Sequence, residues 1–582
     1  MLKRYCVILF CMLAISSLSQ DLEQFKKIDK NTVKVSGGMN FSTTGFLTDN
    51  QNSTRDPYAW YASGNISFSA FGFAFPFSYS ISNQNKSFSQ PSNITSLNPS
   101  YKWFKSHIGR TSMSFSPYTL AGVNFSGVGI ELTPKKFGFQ AMYGMLSKAV
   151  EYDPTKNDIN IISYERWAYS VMFTYKIKNT DFKIISLKAY DKANSLMNPP
   201  GLSSVKPKDN LVTSFGVKTK VFKMFDLDAE FASSMLTNNV RNTDPIADKR
   251  WFTNFYPLIN GNGTSSNYNA YKGSLSYSLK TLKLGVAYEH IDPNYQTLGG
   301  LFFTNDLENL TFTPSISFLK NKVTLALNTG VQRNNINKDK ASQTERWVGS
   351  ANLNLQVFKG FNTSFSYSNF SSFTRNNPLK DPFTNQIMIA DTCNVYQISE
   401  NFVTNVSYAF GKKNKTSLST SFTYQETSNV TGKLNNASAF GIHANGPSNP
   451  FNCYVNTLSY SYSIADRKIS ISVNANSNLS KSVLTNSWFC GPTFSLSKNF
   501  GKDKPSLSAG MTYNRNYQNK ELTNNVFNYR LSVSHAPKII AEKYGKLNFS
   551  VSSMFLNKLP TDKVKNKLHE LTIIANIAYN FK

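Results

Sequence analysis

Residues 216–231 hold the densest arrangement of side chains able to do chemistry. Val217, Thr219 and Val221 alternate with Lys218 and Lys220; Phe225, Leu227, Ala229 and Phe231 alternate with Asp226, Asp228 and Glu230. A tight turn near 222–224 that sets Val221 opposite Phe225 also sets Lys220 opposite Asp226 and Lys218 opposite Asp228. Glu230 then faces Gly216. Opposite charges at cross-strand positions attract. Two readings are open: an ion-pair ladder that satisfies buried charge, or a charged patch on a solute path with Glu230 as its unpaired member.

A second candidate is the loop between His290 and Asn309. Leu298, Leu301, Phe302 and Phe303 are apolar there, and Gly299 and Gly300 lie between them. Exposed, such a patch would be sticky. Folded inward, it would narrow a pore or line a binding site that includes Tyr295, and Asp292, Asp306 and Glu308 could then bind a cation or a polar solute. The spacing does not specify a metal site.

Catalysis finds little footing. The five histidines, His107, His290, His443, His535 and His569, lie far apart in sequence. No nucleophile motif or phosphate-binding loop stands out. An enzyme is not expected, nor a cofactor or a bound metal ion.

The elements that would position these residues have a period of two. Leu571, Ile573, Ala575, Ile577, Tyr579 and Phe581 share one face of the last stretch; Thr572, Ile574, Asn576, Ala578 and Asn580 share the other. That is a strand between two environments. The same rhythm recurs through Tyr58 to Ile81, Val128 to Met145 and Trp167 to Ile177. Very short turns alternate with loops of roughly ten to forty residues. This pattern marks an all-β, transmembrane, up-and-down antiparallel barrel with short periplasmic turns and long extracellular loops. Counting hairpins gives about 24 strands, within a range of about 22–26. The last strand should pair with the first, leaving no open edge.

The rest of the sequence agrees with an exported barrel. Lys3 and Arg4, then Val7 to Ile15, then Ser17-Leu-Ser19 read as a signal peptide cleaved after Ser19. Residues 20–31 would be a periplasmic segment and 32–582 one barrel. Alternation starts at Val33, which leaves no room for an N-terminal plug domain like that of TonB-dependent receptors. Mean hydropathy is −0.34 with 14% aromatic residues, too aromatic for disorder and typical of strands with one lipid face. Parity of the turns assigns 83–124 to one long outer loop, and both 83–124 and 291–308 can fold into the lumen. A lumen this wide needs such an obstruction.

The net charge of +28 could suggest nucleic acid. Its distribution does not. Lys135, Lys136, Lys178, Lys223, Lys280, Lys320, Lys322, Lys359, Lys412, Lys413, Arg467, Lys468, Lys502 and Lys504 fall at short turns, a basic rim suited to anionic headgroups. The partners expected are outer-membrane lipid and the barrel-assembly machinery during insertion, and the rim could also dock a periplasmic or surface protein. Cys393, Cys453 and Cys490 remain after signal cleavage and are expected as free, buried thiols, one disulfide being the alternative.

Ser116-Pro-Tyr-Thr-Leu-Ala-Gly122 and Gly127-Val-Gly-Ile-Glu-Leu-Thr-Pro134, with the loop at 290–309, resemble uncharacterised porin-like outer-membrane barrels of Bacteroidota, which are Gram-negative cells. The resemblance implies an integral protein of the outer membrane and supplies no catalytic residues. The function expected is a channel or transporter for a solute, with its lumen narrowed by inserted loops. The alternative is a non-conducting anchor for a surface or secretion assembly.

Overall fold

In the computed structural model the chain is described over residues 33–581, except for 52, 54, 84–93, 152–161, 198–204, 223, 247–258, 301–304, 335, 338–344, 370–399, 428–450, 483–484, 502–503, 538–543 and 563–566. The proposed signal peptide, the 20–31 segment, Phe302, Phe303, Cys393, Lys223 and Lys502 lie outside the described residues.

Alternating residues make strand the main structure of the described residues, with no helix among them. The first group is β1 (Val33–Thr48), β2 (Tyr58–Ala70), β3 (Phe73–Ser82), β4 (Ile94–Leu97), β5 (Ser100–Tyr101), β6 (Phe104–Ser112) and β7 (Asn124–Leu132). The next is β8 (Phe137–Ser147), β9 (Arg166–Ile177), β10 (Thr180–Asp191), β11 (Asp209–Val221), β12 (Phe225–Thr237), β13 (Ser265–Ser278) and β14 (Leu282–Ile291). There follow β15 (Leu307–Phe312), β16 (Ser315–Phe318), β17 (Val323–Arg333), β18 (Glu345–Leu355), β19 (Phe361–Ser368), β20 (Glu400–Phe410) and β21 (Lys415–Thr427). The last are β22 (Phe451–Ile464), β23 (Ile469–Lys481), β24 (Asn486–Asn499), β25 (Ser506–Gln518), β26 (Glu521–His535), β27 (Gly545–Leu559) and β28 (Leu568–Phe581).

Every pairing between these strands is antiparallel, and β28 closes on β1 from Gly37↔Phe581 to Thr48↔Glu570. No edge is left to solvate or aggregate. Two wall positions are each shared by two short strands, so the 28 segments make 26 staves. Both β4 and β5 bridge β3 to β6, and both β15 and β16 bridge β14 to β17. Pro99 breaks the first stave and Pro314 the second, because proline has no N–H to give the ladder.

The 26 staves lie within the expected range of about 22–26 and are one hairpin more than its centre of about 24. That hairpin is β4/β5–β6, turning at Lys102 with φ 51°, inside the stretch read as a single outer loop at 83–124. Parity forbids one extra strand but allows two. The interruption at Asn98-Pro99 hid the alternation of the first. The other short turns expected fall between strands, and the lysines at their described positions are exposed. At the long-loop end, the connections at 482–485 and 519–520 are tight instead of long.

The two faces of the wall differ as the alternation requires. On β10, Ile184 is 57% exposed and Ile185 is 0%. Outward residues include Phe173, Phe215, Phe231, Val286, Leu458, Val473, Leu531, Ile573 and Ile577, all exposed. At a strand spacing of about 4.8 Å and a tilt of about 40°, 26 staves enclose a circle roughly 50 Å across. Side chains cannot fill that width, so any core inside must come from loops.

Such a core exists on one side. Residues 113–123 bring Met113, Phe115, Leu120 and Val123 against Met142 and Leu146 of β8, Met172 of β9, Ile185 and Leu187 of β10 and Leu236 of β12, and Leu298 joins them. Burying a leucine is worth roughly 2 kcal/mol, so Leu120 and Leu298 together outweigh any one hydrogen bond at the site. On the outer face, Leu211 of β11 and Met235 of β12 are buried with Ile259 from the 238–264 connection. The ion pair Lys188–Asp209 lies nearby, also buried, with Asn260 N donating to Asp209. The thiol expectation is corrected at Cys453, which is disulfide-bonded, whereas Cys490 is free.

Candidate functional site

The hairpin register is Lys220↔Asp226, Lys218↔Asp228, Gly216↔Glu230. Lys220 Nζ lies 3.7 Å from Asp226 Oδ1. The ladder extends beyond the hairpin, since Lys176 on β9 faces Asp181 on β10, and Asp181 faces Lys218 on β11. Charges therefore alternate in sign from β9 through Asp228 on β12. A second row lies nearer the long loops. Lys183 on β10 faces Gly216, which faces Glu230, and Lys272 on β13 stands between Glu230 and Glu289 of β14.

Glu230 is not the unpaired member that the hairpin alone suggests. Its carboxylate accepts from Lys183 Nζ at 2.8 Å, from Ser214 Oγ at 2.7 Å and from Ser116 Oγ, with Lys272 Nζ at 3.8 Å. The reason is geometric. Gly216 has no side chain, and Lys183 crosses the space a Cβ would need. A two-strand view cannot include a cation that reaches over the neighbouring strand.

The inserted segment meets the wall here. Tyr118 donates to Glu289 Oε1 and stacks over the Lys272 ammonium at 5.5 Å. Tyr295 donates to the Tyr118 carbonyl at 2.8 Å, its ring edge-on to that of Tyr118 at 6.4 Å. Thr297 donates to the Thr119 carbonyl, and Ala121 N donates to Gly299 O at 3.1 Å. At Gly299 a Cβ would sit 2.6 Å from the Thr119 carbonyl oxygen, so the two segments approach this closely only through glycine. Burial raises the phenol pKa of both tyrosines, helped at Tyr118 by the bond to Glu289, so both stay protonated donors.

The remaining loop residues do not gather into a cation site. Asp292 accepts from Asn269 N at 2.6 Å and lies 3.0 Å from His290 Nε2, ordering the exit from β14. Asp306 accepts from Ile336 N at 2.9 Å. Glu308 pairs across from His290, on the face of β15 shared with Leu310's stave neighbour Tyr288, and accepts from Tyr288 at 2.8 Å. Leu310, two residues on, is 53% exposed, so Glu308 belongs to the outward face. Among the described residues, no group of three or more metal-ligating side chains is present.

Lys183, Lys272, Glu289, Ser116 and Tyr118 escaped the sequence reading. Alternation through the turn at 279–281 could have set Lys272 against Glu289. Nothing in the sequence could have set Ser116 beside Glu230.

The opposite wall is built differently. Ser470, Ser472, Asn474, Asn476, Asn478 and Ser480 form the inward face of β23, opposite to exposed Val473. Hydroxyls bond across staves at Ser417–Ser461 (2.6 Å), Ser463–Ser470 (2.8 Å), Thr493–Thr512 (3.0 Å) and Ser506–Ser534 (2.6 Å).

No family model matches the chain, and no curated protein matches it. Among solved structures, it is similar to the P pilus usher PapC translocation pore at 9% identity and TM-score 0.36, covering 94% of this chain and 98% of that one. For the unliganded ferric citrate transporter FecA the values are 7%, 0.35, 93% and 78%. For Acinetobacter baumannii OccAB2 they are 7%, 0.26, 65% and 93%. At these levels the similarity assigns this chain no substrate and no activity.

Proposed function

We propose that this chain is an integral outer-membrane channel of porin type, passing small polar solutes through a lumen narrowed by residues 113–123 and 292–300. One observation carries the reading: the 26-stave wall is too wide for side chains to fill, and the inserted segments pack on the β8–β14 side, opposite the Ser- and Asn-lined face of β22–β26. A polar inner face supports an aqueous path, and the apolar outer face supports a lipid surround. The signal sequence and the resemblance to Bacteroidota barrels support export to that membrane. Solutes would cross beside the inserts, past the exposed charge row of β9–β12.

Conductance of the purified chain in a planar bilayer tests this. Open-channel steps are expected. Replacing Asp226 and Asp228 by Asn should shift selectivity toward anions by at least twofold. Steps with unchanged selectivity would remove the ladder from the path. No conductance at all would favour the anchor reading, in which the basic rim docks an acidic partner.

A further inference from the structure

Above the insert, a cavity of ≈ 350 Å³ opens between it and the wall. Val123 and Leu298 of the inserted segments and Leu146 of β8 give it an apolar floor, and Arg166, Asp191, Lys206 and Lys208 surround it. Asp191 accepts three hydrogen bonds: Oδ1 accepts from Arg166 Nε at 2.7 Å, and Oδ2 accepts from Arg166 Nη2 at 3.2 Å and from Lys208 N at 3.0 Å. That pairing fixes the guanidinium plane through Nε and Nη2, and Arg166 lines the cavity. Lys208 Nζ donates to a neutral acceptor, Gln296 Oε1, at 2.9 Å. Three cations thus meet one carboxylate, which already accepts three hydrogen bonds.

We infer that this cavity is a binding subsite for a small organic anion, its carboxylate held by Arg166 and Lys208 and its apolar body resting on Leu146, Val123 and Leu298. A fixed guanidinium fork recognises a carboxylate in two-point fashion, and the volume sits at the low end for small-ligand pockets. The inference deepens the channel reading by naming a solute class at the mouth of the path, and it rests on that reading for its physiological meaning.

Calorimetric titration of the detergent-solubilised full chain with benzoate, benzyl alcohol and inorganic phosphate tests it without requiring conductance. Benzoate should bind at least tenfold more tightly than either of the others. Lys208→Gln should weaken benzoate about tenfold while benzyl alcohol is unaffected, and Arg166→Gln should weaken it at least as much. Equal binding of benzoate and benzyl alcohol, or of benzoate and phosphate, overturns the assignment on the unaltered chain, even if a variant misfolds. So does unchanged benzoate affinity in Lys208→Gln. A chain that conducts but does not bind benzoate refutes this subsite alone; one that binds benzoate but never conducts refutes the channel alone.

Discussion

The sector from β8 to β14 and the sector from β22 to β26 share one secondary structure and one outward face, yet their inner faces solve different problems. The first is a protein interior. Its upper inner face is apolar and covered, and its charges are neutralised in rows that cross several staves, with Glu230 held by two lysines and two serines. The second is a polar surface. Short hydroxyl and amide side chains bond to neighbours on adjacent staves, with no cluster of buried apolar residues among those described. A charge is stabilised where a loop excludes water, because opposite charges interact more strongly in low dielectric. Where water remains, Ser and Asn suffice.

The comparison can be broken most completely by removing what both sectors need. Deleting Leu568–Phe581 opens the wall at β1 and leaves a row of unpaired backbone groups at membrane depth. No folded, heat-modifiable species should be recovered from membranes.

Replacing residues 113–123 with a Gly-Ser segment of equal length removes the core of the first sector and leaves the second intact. Single-channel conductance should rise at least twofold. An unchanged step size would mean that the insert does not limit the path.

Glu230→Gln tests the electrostatic half of the contrast. Its side chain is 0% exposed, and Lys183 and Lys272 lose their shared counter-charge. Both lysines are partly exposed and can rehydrate, so the expected loss of unfolding free energy is about 2–3 kcal/mol, below that of a fully buried broken pair. Adding Lys183→Met should recover more than half in urea titrations, because an apolar side chain beside the neutral Gln replaces an uncompensated charge.

The smallest effect belongs to the second sector. Ser472→Ala removes one hydroxyl bond, to Ser495, on a polar face that is only partly buried. A loss of at most about 1 kcal/mol and an unaltered conductance are expected. A larger cost would mean that this wall is also a dry interior.

Much of the wall was legible because strand period and turn length are local properties. Tyr58–Ile81, the turn at 222–224 and its pairing of Lys220 with Asp226 follow from alternation alone. The hairpin at Lys102 was lost because Pro99 interrupts one of its strands. The loop at 290–309 was marked by its apolar residues. Its contact with 113–123 joins segments about 180 residues apart, as at Thr297 and Thr119, and no periodicity reports on that distance.

The sequence by itself determined an all-β chain with an apolar and a polar face, turn by turn, because a strand's side chains alternate whatever it pairs with. Only the tertiary structure decided that Lys183 reaches across Gly216 to Glu230, that Ser116 and Tyr118 seal one sector, and that Arg166 and Lys208 share a cavity. Those contacts depend on how staves curve around a common lumen and on where a loop comes to rest inside it. Both are set by closure of the whole wall.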